Sequence, residues 1–181
     1  MAILAAAIVI VGLLCLTDLL LTFGVIRRLR EHTEMLTGAN GQDAPVTGLA
    51  AGEIPASFTA VGNNGEQVSG PVGLRLVAFF TASCSACPER VPPFLEYLRA
   101  NRIERDEVLA VISGSQAASV SYLQSVAEVA VVCTESVDGE IDTAFQVRGY
   151  PAFCLLDATG SILAVSHEPT ALPELAAIRR R

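Results

Sequence analysis

The stretch LVAFFTASCSACPERVPPF, residues 76–94, places two cysteines between an apolar run and a segment that can form a helix. Residues 74–80 have the length and composition of a buried strand, and we predict a helix from Cys84 to about Ala100. Unpaired N–H groups and a partial positive charge at a helix N-terminus stabilise a thiolate. Because the thiolate is the nucleophile in disulfide exchange, Cys84 is the predicted attacking residue. Cys87 lies one turn further in, more deeply buried, and is predicted to resolve the mixed disulfide.

The other cysteines bear on whether this pair binds a metal instead. A zinc site usually combines two such pairs, but the remaining candidate ligands lack ligand-pair spacing: Cys133, Cys154, His32 and His167. A pair of buried structural thiols is a further alternative. The position directly after a strand favours redox chemistry without a metal or cofactor. Cys133 and Cys154 lie in apolar runs and are interpreted as buried structural thiols.

The remaining pattern alternates short apolar runs with helical segments. Strands are predicted over residues 57–61, 66–68, 74–80, 108–112, 129–133, 152–157 and 161–165, and further helices over 116–126, 141–145 and 169–181. Strands that alternate with helices indicate an α/β fold with parallel pairing. The last two strands flank a short Ala-Thr-Gly turn and must be antiparallel, so the predicted sheet is mixed.

Two further stretches carry a family resemblance. With GEIPASFTAVGNNGEQV from Gly52 and VRGYPAFCLLDATGSIL from Val147, the cysteine segment resembles the thioredoxin superfamily, in particular the TlpA/ResA-like membrane-anchored thiol–disulfide oxidoreductases, including the MauD type. The resemblance extends from about Gly52 to the C-terminus. It implies a thioredoxin fold, with a mixed central sheet flanked by helices. It also implies exchange with protein substrates through a redox-active disulfide of Cys84 and Cys87.

The resemblance also assigns a substrate-binding loop. Pro151 matches the family's cis-proline, and Gly149 and Tyr150 precede it. In the family this turn lies beside the cysteines, so the resemblance implies that the Tyr150 backbone pairs with an extended substrate segment.

The sequence departs from the family pattern in three ways. Ser83 replaces a tryptophan that often precedes the first cysteine, and Ala78 stands where ordinary thioredoxins carry a buried acid. The dipeptide Ser85-Ala86 replaces Gly-Pro. These changes affect the expected redox potential and proton path but leave the exchange chemistry in place.

The N-terminal region predicts a membrane anchor. Residues 1–26 are nearly all apolar, long enough to span a bilayer, and are followed by Arg27, Arg28 and Arg30 with no basic residue before them. Residues 27–52 are interpreted as a juxtamembrane stalk and linker, and the thioredoxin-like domain is predicted over 53–181. The arginines favour a cytoplasmic domain, whereas the resemblance favours an extracytoplasmic one. We expect a single-pass cell-membrane protein with its catalytic domain outside.

Within the predicted span, Cys15, Asp18 and Thr22 share one helical stripe. A carboxylate inside a bilayer is costly and usually faces protein or water. The stripe is interpreted either as a contact face for a membrane electron donor or as an Asp that reaches water near the helix end.

The net charge of −7 argues against nucleic acid as a partner, because phosphate binding needs a basic surface. Two other functions stay open. A peroxiredoxin-like peroxidase is suggested by the spacing of Thr81 and Cys84, although Val77 stands where that signature has a proline. A non-catalytic, membrane-tethered adaptor would use the fold only as a binding surface.

Overall fold

A computed structural model of the chain describes residues 46–115 and 120–175, together with Gly12. The chain divides into two units, Met1–Ala44 and Pro45–Arg181, and apart from Gly12 the described residues lie in the second. Among the described residues, no helix is both long enough and apolar enough to cross a membrane.

Several predictions concern positions outside the described residues. They are the membrane span over residues 1–26, its stripe of Cys15, Asp18 and Thr22, and the end of the C-terminal helix over 176–181. These interpretations stay predictions.

Two strands form a hairpin ahead of the main sheet. Strands β1, Phe58–Val61, and β2, Gln67–Gly70, pair antiparallel. Asn63, Asn64 and Gly65 form the turn between them, in which Gly65 adopts a φ of +83° that suits glycine. The N–H of Gly62 closes the loop by donating a 2.7 Å hydrogen bond to the carbonyl of Glu66.

Five strands form the central sheet in the order β5-β4-β3-β6-β7. Strand β3 pairs parallel with β4 and antiparallel with β6, and β4 pairs parallel with β5. Strands β6 and β7 are the antiparallel hairpin expected from the Ala-Thr-Gly turn. The predicted mixed sheet is therefore confirmed. The strands are β3 Leu76–Thr81, β4 Val108–Ser113, β5 Val131–Glu135, β6 Ala152–Leu156 and β7 Ile162–Ser166.

Helices connect the strands. They are α1 Cys87–Asn101, α2 Leu123–Ala127 and α3 Glu140–Ala144, with 3₁₀ turns at Arg105–Glu107 and Pro169–Ala171. The predicted helix from residue 169 is wrong at its start, because Leu172 is extended with a ψ of 142°. Pro173 follows it, and a residue before proline is disfavoured in helical conformation.

Strand β3 separates two apolar clusters, and all six of its residues are buried. Leu76, Ala78 and Phe80 face the cluster that contains Cys87, whereas Val77 and Phe79 face the opposite one. Successive side chains of a strand point to opposite faces, so a central strand covered on both sides is apolar throughout. The strand that ends just before the cysteine motif is thus packed on both faces and paired on both edges.

The described region begins with a segment that is bound to the domain, although its composition predicted a linker. Val46 and Thr47 are buried, and Thr47 forms an isolated antiparallel bridge with Val147. Gly52 donates a 2.8 Å backbone hydrogen bond to Ile162 of β7. These contacts are made by backbone groups, which every residue type has. The small and polar side chains of the segment therefore gave no sign that it pairs with the domain.

Candidate active site

Cys84 lies in the connection between β3 and α1. Its backbone N–H donates a 3.1 Å hydrogen bond to the carbonyl of Thr81, the last residue of β3. The N–H of Ala82 donates another of 3.1 Å to the carbonyl of Ser113, the last residue of β4. The turn that carries Cys84 is therefore fixed to the carboxyl ends of two adjacent parallel strands.

The helix begins at Cys87 and not at Cys84 as predicted. Pro88 explains the difference. A helix that began at Cys84 would need the N–H of residue 88 to bond the Cys84 carbonyl, and proline has no N–H. Within the first turn of α1 this loss costs little, because an N–H there would have no helical partner. Cys84 thus precedes the helix, and Cys87 opens it.

The two cysteines differ in exposure. Cys84 is partly exposed, whereas Cys87 is fully buried, with an exposed fraction of 0%. Burial raises the pKa of the Cys87 thiol, and a hydrogen bond with Cys84 raises that pKa further, while a backbone hydrogen bond with Thr81 lowers it. Cys84 is therefore the accessible sulfur, and Cys87 is held behind it as a neutral thiol.

The predicted loop of Gly149, Tyr150 and Pro151 lies beside Cys84. The Tyr150–Pro151 peptide bond is cis, which confirms that prediction. The Sγ atom of Cys84 lies 3.8 Å from the carbonyl oxygen of Tyr150, a distance that permits a weak S–H···O hydrogen bond. The structure thus brings the predicted cysteines and the predicted loop together.

His167 holds the other side of this loop, a contact that sequence reasoning missed. Its Nδ1 lies 2.7 Å from the carbonyl oxygen of Pro151, to which it donates. A Cβ atom at Gly149 would lie 3.2 Å from Cε1 of His167, so a larger residue at this position would crowd the ring. His167 directly follows β7, and no local sequence pattern predicts its contact with the loop.

A buried carboxyl group lies on the far side of Tyr150. Asp142 in α3 is 3% exposed, and its Oδ2 atom accepts hydrogen bonds from the hydroxyls of Tyr150, at 2.5 Å, and Ser113, at 2.7 Å. Burial raises the pKa of the Asp142 carboxyl, and these two hydrogen bonds lower it. Burial is the main cause that raises the pKa of the Tyr150 phenol, and the hydrogen bond to Asp142 raises it further.

Tyr122 is a buried phenol in the same apolar cluster as the cysteines. It is 8% exposed, and its ring centroid lies 5.6 Å from that of Phe80 in β3. Its hydroxyl has no hydrogen-bond partner among the described residues. Burial raises the pKa of this phenol above its ordinary value.

A small cavity of about 240 Å³ opens next to the Cys84 turn. No charged side chain lines it, and Val137 at its edge is 53% exposed. Its lining residues are Thr81, Ala82, Ser83, Gly114, Ser115 and Val137.

In the part of the chain that the structure describes, no group of three or more His, Cys, Asp or Glu residues could hold a metal ion.

Comparison with known proteins identifies the fold. No protein-family model matches the chain, and no curated protein matches it. Several solved structures are similar to it over most of its length. The thioredoxin domain of a thiol–disulfide oxidoreductase from Bacteroides vulgatus is 22% identical, with a TM-score of 0.50 and coverage of 65% of this chain and 88% of that one.

A thioredoxin-family thiol:disulfide interchange protein from Chlorobium tepidum is 18% identical, with a TM-score of 0.53 and coverage of 73% of this chain and 96% of that one. A thiol:disulfide interchange protein from a Bacteroides species is 20% identical, with a TM-score of 0.51 and coverage of 73% and 88%.

The described domain therefore has the thioredoxin fold, as the sequence resemblance implied. Its mixed sheet carries a CxxC pair after β3, and a cis-proline loop faces the first cysteine. At these identities the similarity establishes the fold, and the activity is inferred from the site itself.

Proposed function

We propose that the protein is a thiol–disulfide oxidoreductase that exchanges disulfides with protein substrates through Cys84 and Cys87. The observation that carries the proposal is the pairing of an accessible thiol with a fully buried one, directly after a rigid central strand. An accessible sulfur can reach a substrate disulfide, and a buried neighbour can react only with what is bonded to the first. The chemistry therefore has a built-in order.

The exchange conserves atoms and electrons. The Cys84 thiolate attacks one sulfur of a substrate disulfide, which forms a Cys84–substrate bond and releases the other substrate sulfur as a thiolate. Cys87 then loses its proton and attacks the Cys84 sulfur, which forms the Cys84–Cys87 disulfide and releases the second substrate thiolate. The two substrate thiolates take up protons, so the substrate gains the two electrons that the cysteine pair loses. The reverse sequence oxidises a substrate dithiol.

Trapping of mixed disulfides in cells that express the full-length chain tests this proposal. Cys87→Ser removes the resolving thiol, so it should accumulate protein adducts on Cys84 that dithiothreitol releases. Cys84→Ser is the matched control and should accumulate far fewer. Equal, low trapping by both variants would overturn the proposal and favour an adaptor. Peroxide consumption by the reduced chain, without protein adducts, would instead indicate a peroxidase.

We further propose that residues 1–26 anchor the protein in the cell membrane and that the catalytic domain is extracytoplasmic. The apolar composition of the segment supports the anchor, and disulfide chemistry has more lasting substrates in an oxidising compartment. A test is Asp43→Cys in a chain with all native cysteines replaced by serine. Labelling of intact cells by a membrane-impermeant maleimide would support the location, whereas labelling only after lysis would overturn it.

The stripe of Cys15, Asp18 and Thr22 is proposed as the contact face for a membrane electron donor. Asp18→Leu should lower the fraction of reduced Cys84 in cells without changing disulfide exchange by the purified chain. An unchanged fraction would remove this role.

A further inference from the structure

Tyr150 is held by two different groups through its backbone and its side chain. Its carbonyl oxygen faces the Cys84 sulfur at 3.8 Å, and its hydroxyl donates a 2.5 Å hydrogen bond to Oδ2 of Asp142. The ring therefore connects the surface next to the accessible thiol with a carboxyl group that is 3% exposed. Tyr150 is thus held at its backbone and at the far end of its side chain.

Asp142 is itself fixed from several elements. The hydroxyl of Ser113, a residue with an exposed fraction of 0%, donates a 2.7 Å hydrogen bond to the same Oδ2 atom. The backbone N–H groups of Ile141 and Asp142 donate to the carboxylate of Glu135 in β5, at 3.2 and 2.9 Å. The carbonyl of Asp142 accepts a 3.0 Å hydrogen bond from the N–H of Val147. Strands β4 and β5 thus set the position of the group that Tyr150 binds.

Fold stability alone does not account for a carboxyl group here. Burying a carboxylate costs free energy unless its hydrogen bonds are complete, and Oδ1 of Asp142 has no partner among the described residues. An apolar side chain would avoid this cost only if Ser113 and Tyr150 were replaced as well, because their hydroxyls would otherwise lose their acceptor. What the carboxyl group adds is a directed acceptor that determines where the Tyr150 hydroxyl, and with it the loop, must lie.

We propose that Asp142 and Ser113 are positioning residues that fix the Tyr150 segment, so that an extended polypeptide substrate is aligned across Cys84. The inference rests on the proposed function. Main-chain N–H and C=O groups next to a proline can pair with an extended chain only if they are held in one orientation. A small disulfide makes no such contacts, so the positioning pair should matter for polypeptide substrates and much less for small ones.

The measured quantity is the ratio of two second-order rate constants for oxidation of the full-length reduced chain, one by insulin and one by the small aromatic disulfide DTNB. Tyr150→Phe removes the hydroxyl and should lower this ratio by up to about tenfold, the scale of one typical intramolecular hydrogen bond. The loss should appear mainly in the rate constant for insulin. Asp142→Ala should lower the ratio similarly, and Asp142→Asn, which keeps an acceptor oxygen, should largely restore it.

Two further variants, one of them a control, separate positioning from a general loss of structure. Tyr97→Phe removes the hydroxyl of a different tyrosine, one that donates a 2.7 Å hydrogen bond to the carbonyl of Pro173. This variant should leave the ratio unchanged. Ser113→Ala removes only the second hydrogen bond to Asp142 and should lower the ratio by a smaller factor.

A combined variant carries the sharpest test. If Tyr150 and Asp142 act through one bond, Tyr150→Phe with Asp142→Ala should be no worse than either alone. An unchanged ratio in both single variants, or additive losses, would overturn the positioning role while the proposed function stands. If the unaltered chain reduces neither disulfide, the proposed function fails, and the positioning role fails with it.

Discussion

The sulfur of Cys84 lies 3.8 Å from the carbonyl oxygen of Tyr150, although 66 positions separate these residues in the sequence. The contact exists because β6, which follows the Tyr150 loop, pairs antiparallel with β3, which precedes Cys84. One edge of the reactive thiol is therefore bounded by backbone that belongs to the opposite half of the domain.

Alkylation of the reduced chain should modify Cys84 first. It is partly exposed, whereas Cys87 is fully buried and burial raises its thiol pKa, so Cys87 carries almost no thiolate near neutral pH. Mass spectrometry after brief iodoacetamide treatment at about pH 7 would locate the modified peptide. Cys84→Ser should remove the fast phase, and earlier labelling of Cys87 would reverse the assigned roles.

Oxidation should link only Cys84 and Cys87 among the cysteines of the described domain. Cys133 lies in β5 and Cys154 in β6, with β4 and β3 between them. Three strand spacings amount to roughly 14 Å, whereas a disulfide needs Cα atoms within about 7 Å. Peptide mapping of the oxidised chain without reduction would test this. A linked peptide of Cys133 and Cys154 would contradict the sheet order.

Tyr122→Phe should leave the free energy of unfolding unchanged or raise it by about 1 kcal/mol, because it removes a buried hydroxyl with no partner among the described residues. Tyr97→Phe is the matched variant. It removes a hydroxyl that donates a 2.7 Å hydrogen bond to the carbonyl of Pro173. The substitution should therefore lower the free energy of unfolding by about 0.5–1.5 kcal/mol. Urea denaturation of both variants gives the comparison. A loss in Tyr122→Phe as large as that in Tyr97→Phe would show that the Tyr122 hydroxyl has a partner.

Asp142→Asn should gain in stability relative to the unaltered chain as the pH rises from about 4 to about 7. Burial raises the pKa of Asp142 above its ordinary value of 3.8, so the folded state keeps its proton to higher pH than the unfolded state does. The stabilisation from that proton is complete below the unfolded pKa and is lost as the pH rises through the folded pKa.

Asparagine does not titrate, so the variant lacks this loss. Glu135, Asp138 and Glu140 lie near this site and are present in both proteins, so their contributions largely cancel in the difference. Urea midpoints at several pH values would measure the effect. Parallel curves for the two proteins would mean that the Asp142 pKa is not raised.

The cysteine half of the site could be predicted because its signals are local. An apolar run followed by CxxC and a helical segment predicts strand, reactive thiol and helix from fewer than 20 adjacent residues, here residues 76–94. The predicted helix start at Cys84 was wrong because Pro88 has no N–H to bond the Cys84 carbonyl. The first helical turn therefore begins at Cys87.

The Asp142 side of the site could not be predicted in this way. Asp142 lies in a helix of five residues, too short for its periodicity to distinguish a buried face from an exposed one. Its burial depends on Ser113 and Tyr150, which come from other elements and meet it only when the sheet assembles. His167 was missed for the same reason, because its partner is the carbonyl of Pro151. Contacts made through tertiary structure leave no periodic trace in the sequence.

The backbone pairing of Gly52 and Glu53 with Ile162 has a practical consequence for work on the isolated domain. Strand β7 is an edge of the sheet, and these two residues exchange 2.8 Å hydrogen bonds with Ile162 there. A truncated protein that began at residue 54 would leave that part of the edge open, and open strand edges recruit other chains. Material shortened in this way should self-associate with rising concentration, whereas a form that starts at Pro45 keeps the strand edge shielded.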